Sequence, residues 1–273
     1  MHRSGTNMVT GMLEELGLFV GKKKEENNEA LFFQQINDWL LRQSGGSWDY
    51  PIPVHNLLKN TEIRILAIDY ITHVLQTPHV ATYMGWDKYI NYHTPANLNI
   101  PWGWKDPRNT FTLPIWLDIF PKSKVIHIYR NGIDVANSLQ IRTKKALFRS
   151  KTHYPKRKWL YRMFYRKRGF TDTLRCYELS GGFSLWTDYL NEAKVHVKSL
   201  YSQAMEIKYE DFLFKPFETL KRITYFCDLN ASDKDIERVS ALANKERAYA
   251  YRAKPELKFF AEQMAEKLRV FGY

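Results

Sequence analysis

The apolar positions along the chain follow two periods, and the changes between them mark out the elements. Met8, Val9, Met12, Leu13 and Leu16 recur at three- and four-residue spacing, which predicts a helix stopped by Gly17. Leu18, Phe19 and Val20 form a short apolar run ending at Gly21, expected as a strand. Helical spacing begins again at Glu29, with Ile36, Trp39 and Leu40 on one face, and ends near Gly45 and Gly46. Further helices are predicted where Ile63, Leu66, Ala67, Tyr70, Ile71 and Val74 repeat, and over residues 112–120. Val125–Tyr129 is a continuous apolar run, the pattern of a strand buried on both faces in a parallel sheet. The helix after it carries Val135 and Leu139. Residues 172–200 read as a helix broken near Gly181 and Gly182, residues 205–209 as another strand, and Pro216 opens a helix through Phe226. Helices alternating with buried strands predict an α/β fold, a central and mainly parallel sheet with helices on both faces. One domain over residues 1–273 is expected for this length. No apolar run approaches the ~20 residues of a membrane span.

Ahead of the first helix stands Met1-His2-Arg3-Ser4-Gly5-Thr6-Asn7. A glycine lets the backbone approach a ligand, and a helix N-terminus offers unpaired N–H groups and positive dipole, so the stretch suits an anion. Arg3 adds a full charge. An ordinary capped helix start reads the same on these residues alone. The loop is not a Walker A loop, because Thr6 stands where the lysine would follow the glycine. That disfavours a nucleoside triphosphate with magnesium. A phosphate-binding βα unit has a buried strand before its loop, so a short apolar strand and a glycine are expected ahead of Met1 in the natural polypeptide.

Charge changes the picture in one place. The net charge is +12, and residues 142–168 hold twelve lysines and arginines with no acid. Without them the basic and acidic residues balance at 29 each. Trp159, Leu160, Met163 and Phe164 fall at helical spacing among these cations. The basic segment, about 142–170, therefore reads as a membrane-surface helix, as a flap over an anionic acceptor such as a glycan or lipid, or as a solvated insertion. Peripheral membrane contact is expected through 150–168. No nucleic-acid motif accompanies the charge, and nucleic acid is not an expected partner. Cys176 and Cys227 make no disulfide framework and no Cys/His cluster has metal spacing, so a reducing, cytoplasmic location without a metal is expected, peripheral at the inner membrane surface if the segment docks there.

HRSGTN resembles the 5'-phosphosulfate loop of sulfotransferases that use 3'-phosphoadenosine-5'-phosphosulfate (PAPS). Residues 124–139, KVIHIYRNGIDVANSL, are similar to the same family's 3'-phosphate motif: an apolar strand, then an arginine, then a serine eight residues later. These are Arg130 and Ser138. The two motifs stand in the family's order and at its distance, and the resemblance covers most of the chain, weakest at 142–170. It implies a P-loop-like sulfotransferase fold and transfer of a sulfuryl group from PAPS to a hydroxyl or amine, leaving 3'-phosphoadenosine 5'-phosphate (PAP) without a metal. The acceptor would be a glycan, a lipid or a small metabolite. Donor-binding residues would be Arg3, Ser4, Gly5, Thr6, Asn7, Arg130 and Ser138.

Glu29-x-x-Phe32-Phe33 resembles the segment of Golgi-type heparan sulfate sulfotransferases that carries the catalytic glutamate. The resemblance makes Glu29 the general base, with Glu25 and Glu26 as alternates. On the residues alone Glu29 is equally a helix-start carboxylate. Trp104-Lys105-Asp106-Pro107-Arg108 is similar to an element of bacterial sulfotransferases, which makes Lys105 the lysine on the transferring group, catalytic together with Glu29 and Arg3. Pro107 stands where the cytosolic aryl and steroid enzymes keep a histidine base. Asp106 is expected to hold Lys105 or Arg108 in an ion pair, although Arg108 also reads as a surface salt bridge. The aromatic-rich stretch 77–103 is expected to line the acceptor pocket. Tyr209-Glu210-Asp211 matches a supporting element of the family, and one of Lys245, Arg247, Arg252 and Lys254 is expected over the 3'-phosphate. Two other functions fit less well: a nucleotide-dependent phosphotransferase, and a non-catalytic PAP-binding module docking on anionic membranes or glycans.

Overall fold

A computed structural model describes residues 1–166 and 169–273. In chain order its main elements are α1 (Thr6–Glu15), α2 (Leu31–Arg42), α3 (Thr61–Val74), α4 (Asn109–Ile119), β1 (Val125–Tyr129), α5 (Gly132–Arg157), α6 (Leu179–Leu200), β2 (Ala204–Lys208), α7 (Tyr209–Phe214), α8 (Pro216–Phe226), α9 (Asp233–Ser240) and α10 (Pro255–Gln263). The chain forms two compact units, one of residues 1–129 and 189–248, the other of residues 130–188 and 249–273. Among the described residues no helix is long and apolar enough to cross a membrane.

In the first unit β1 and β2 pair in parallel, from Val125 opposite Ala204 to Tyr129 opposite Lys208. The fold is thus α/β with a small parallel sheet of two strands among the described residues. One apolar cluster joins α2, α3 and α4 through Phe33, Leu40, Ile71, Ile115 and Trp116. Another joins α1, both strands, α7 and α8 through Val9, Leu13, Ile128, Ile207, Phe212 and Ile223. A cavity of about 700 Å³ in this unit is lined by Val125, Ile126, His127 and Ile128 and by no residue of β2. Side chains alternate between the faces of a strand, so a cavity touching four residues in a row runs along the edge of β1 that β2 leaves open. Its far wall includes Trp102 and Trp104.

Three expectations for the first unit change. The strand expected at 18–20 is a single parallel bridge between Phe19 and Trp102. Phe19 N–H donates to Pro101 O and Gly103 N–H to Phe19 O, and Pro101, lacking an N–H, cannot extend the ladder. The apolar stripe of α3 is narrower than its spacing suggests. Ala67 and Ile71 are buried, whereas Ile63, Leu66 and Tyr70 are exposed. Residues 77–103 contain short helices, among them Ala81–Met84 and Trp86–Tyr92. There Tyr83 is a core residue, Trp102 lines the cavity and Trp86 is exposed.

In the second unit Val135, Ala136 and Leu139 of α5 are buried, as are Phe183 and Trp186 of α6, Leu257 of α10 and Phe271. Trp186 meets Phe271 edge-on at 4.9 Å. Gly181 and Gly182 open α6 instead of breaking it. They are glycines because of close approach: a Cβ on Gly181 would fall 1.9 Å from Arg175 O, and one on Gly182 3.2 Å from Ala136 Cα. The basic segment also differs from expectation. α5 runs on to Arg157, Pro155 sits in its last turn, and Lys158–Arg162 form a 3-10 turn. Trp159, Leu160, Met163 and Phe164 therefore do not share an α-helical stripe. Proline removes a helix donor and crowds the preceding turn, which ends the helix before them.

Candidate functional site

The loop at the start of the first unit is held in a conformation that few sequences permit. Arg3 and Gly5 both take positive φ, 63° and 87°. A Cβ on Gly5 would lie 2.1 Å from Cδ2 of Tyr209, so the loop backbone rests directly on that ring. Tyr209 is the buried first residue of α7, which gives the Tyr-Glu-Asp element its supporting role. The first bonds of α1 run from the N–H groups of Met8 and Val9 to Gly5 O, and among the described residues those of Thr6 and Asn7 meet no backbone acceptor. The side chain of Ser4 is buried, and its hydroxyl has no hydrogen-bond partner among the described residues. A buried hydroxyl without a partner is uncommon and calls for a ligand or water. Together with the helix start and exposed Arg3 it fits an anion.

Asn28 Nδ2 donates to Asn7 O at 3.4 Å and brings the segment before α2 onto this loop. Glu29 follows. It stands ahead of α2 and outside it, and it is only 5% exposed. Lys105 Nζ donates to Oε1 at 3.2 Å, while Gln34 Nε2 and Arg108 Nη1 donate to Oε2 at 3.1 and 3.4 Å. Glu25 and Glu26 are exposed. Lys105 lines the same cavity as Thr6. Burial pushes its pKa below the ordinary lysine value, and the Glu29 carboxylate only partly offsets that. The structure thus brings Ser4–Asn7, Glu29 and Lys105 together within one unit.

Behind the Glu29–Lys105 pair lies a polar network that the sequence signalled only in part. Asp106 Oδ1 accepts from Arg108 Nη1 at 3.0 Å and from Arg108 N–H at 2.9 Å. Its Oδ2 accepts from Asn37 Nδ2 at 2.9 Å. Asp38 closes on Arg108 Nε at 2.7 Å. Asn37 Oδ1 accepts from Thr112 Oγ1 and Trp116 Nε1 at 2.7 and 2.8 Å. Of its two expected partners Asp106 therefore holds Arg108, which is buried and is no surface salt bridge. Burial raises the Asp106 pKa despite Arg108. For Arg108 burial pulls downward, but Asp106, then Asp38 and Glu29, outweigh it, and the guanidinium is held firmly charged. Gln34, Asn37 and Asp38 escaped the sequence reading. A usable signal was Asn37 itself, a polar residue flanked by Phe33, Ile36 and Leu40 on the apolar face of α2.

A model of the Sulfotransferase family matches residues 1–233 of the 273. The chain belongs to the sulfotransferase family. No curated protein matches it.

This sulfotransferase carries its second motif in the second unit. Asn131 caps α5, its side chain accepting from Ile133 N–H at 3.0 Å. Arg130 stands just before the cap and pairs with Asp134 Oδ2 at 3.2 Å, and its carbonyl accepts from Trp186 Nε1 at 2.9 Å. Asp134 Oδ1 accepts from Tyr251 N–H at 2.8 Å, and burial raises the pKa of Asp134 against the pull of Arg130. Ser138 is half-buried on the second turn of α5. Of the late cations, Arg252 adjoins this group: it follows Tyr251, lies 4.4 Å from the Tyr249 ring and feels the Asp134 carboxylate. Lys254 is exposed in the same unit, and Lys245 and Arg247 belong to the first.

Proposed function

We propose that the protein transfers the sulfuryl group of PAPS to a hydroxyl or amine acceptor. The observation that carries this reading is the meeting of an anion-ready loop with a buried carboxylate–lysine pair. Family membership supports sulfuryl transfer in general, and a P-loop-like arrangement of the sheet is part of the same reading. The donor, when bound, supplies an activated sulfuryl group on a phosphate leaving group. Ser4 Oγ and the N–H groups of Thr6 and Asn7 hold its phosphosulfate end, a ready use for a hydroxyl that has no other partner among the described residues. Arg3 and Lys105 neutralise the charge that develops on the leaving oxygen. Sulfuryl carries less negative charge than phosphoryl, so protein cations suffice. Glu29 takes the proton of the acceptor. The three groups that donate to Glu29 keep its carboxylate oriented, and positioning is a large share of catalysis in an in-line displacement.

Arg130 and Ser138 are the contacts of the 3'-phosphate in this reading, and Arg252 is the late cation that joins them. Arg130→Ala is expected to weaken PAP binding by about 2–3 kcal/mol, the loss of a charge-assisted fork. Calorimetry with and without chelator measures it, and the parent affinity should not depend on chelator. Because the substitution removes the ion-pair partner of buried Asp134, a thermal melt of the variant separates lost affinity from lost folding. Labelled PAPS with a panel of hydroxyl and amine acceptors tests the reaction itself. Label transfer from ATP with magnesium, and none from PAPS, would overturn it.

A further inference from the structure

The charge excess of this chain has a defined place in the second unit. Arg149, Lys151, Lys156, Arg157, Lys158 and Arg162 are all exposed, and among the described residues none of them makes an ion pair. They lie on the outer part of α5 and on the 3-10 turn that follows Pro155. Aromatic contacts fasten this turn back on α5. Tyr154 stacks with Tyr161 at 5.9 Å and meets Phe170 edge-on at 5.4 Å. Arg166 lies 4.5 Å from the Phe170 ring and donates to Tyr161 Oη at 3.2 Å and Gly169 O at 3.1 Å. These contacts use Tyr154, Tyr161 and Phe170 and leave Trp159, Met163, Phe164 and Tyr165 outward, at 65, 75, 65 and 96% exposure.

Four large apolar side chains held in water among uncompensated cations are unfavourable for a free surface. A polyanionic glycan would satisfy the cations and stack on one or two of the rings, but it offers no apolar layer for Met163 and the remaining side chains to enter. An anionic lipid surface satisfies both, since aromatic side chains settle at headgroup depth while lysine and arginine meet lipid phosphates and carboxylates. We propose that residues 149–166 are a docking surface for an anionic lipid bilayer, with Trp159, Met163, Phe164 and Tyr165 entering the headgroup layer. The proposal stands apart from the assignment of the donor.

Co-sedimentation of the full chain with phosphatidylcholine vesicles, with and without phosphatidylserine, tests it at low and high salt. Binding is expected only with phosphatidylserine, weakening at least ~10-fold from low to high salt as surface charge is screened. Trp159→Ser with Phe164→Ser should weaken it at least ~10-fold at constant salt through lost apolar burial. Lys156→Gln, Arg157→Gln and Lys158→Gln together should remove most of the salt dependence. Calorimetric PAP affinity, expected unchanged in both variants, shows that they fold. A parent that binds PAP poorly but sediments with anionic vesicles would count against the donor and leave the docking surface standing. No sedimentation with phosphatidylserine vesicles at low salt would overturn the proposal. So would a serine double variant that binds as the parent does, or capture by a sulfated glycan in place of vesicles.

Discussion

Glu29→Gln is expected to keep PAP affinity and to lose at least ~100-fold in turnover, the usual scale for a general base. The amide nearly matches the carboxylate in shape, and its oxygen still accepts one of the three donors that surround it. What it cannot do is take a proton. Single-turnover measurement with PAPS and the best acceptor, beside PAP calorimetry on the same sample, separates the two effects. Full activity in the Glu29→Gln variant would put the base elsewhere. Glu25 and Glu26 would follow as variants, although both are exposed and lie outside the polar network.

The largest effect on stability is expected from Asp106. In Asp106→Ala the Arg108 guanidinium stays buried with one carboxylate fewer, and Asn37 Nδ2 loses an acceptor. Removing one partner of a buried ion pair typically costs about 3–5 kcal/mol. Urea denaturation should show that loss, and Asp106→Asn, which keeps an oxygen facing Asn37, should lose less. A change below about 1 kcal/mol in the alanine variant would mean that the pair behaves like an exposed one. The network would then not be what fixes Arg108 beneath Glu29.

Much of this was legible in the chain itself. β1, β2 and α8 lie where a continuous apolar run, the segment 205–209 and a leading proline place them, to within one residue, because neither strand segment has a competing helical period. The loop was readable from glycine, hydroxyls and arginine at a helix start. Its rigidity was not, since that depends on Tyr209, some two hundred residues later, pressing on Gly5. Glu29 was readable as a carboxylate, but its burial was not, because Lys105 and Arg108 reach it only after folding. Gly181 and Gly182 misled for a related reason: a glycine that permits close packing against Arg175 or Ala136 looks in sequence like one that ends a helix. The basic stripe failed on Pro155, which outweighs periodicity.

The edge of β1 that β2 leaves open bears on how the loop before α1 is kept stiff. A strand paired on one side offers a row of backbone donors and acceptors to whatever extended segment comes alongside, and here that row faces an apolar cavity whose wall also includes Met1 and Thr6. An apolar stretch laid into it would be zipped to β1 by main-chain bonds. Filling the groove would brace the loop before α1 on the side where Met1 and Thr6 line the cavity, as Tyr209 braces it at Gly5. Widening of the sheet and stiffening of the loop would then be a single event.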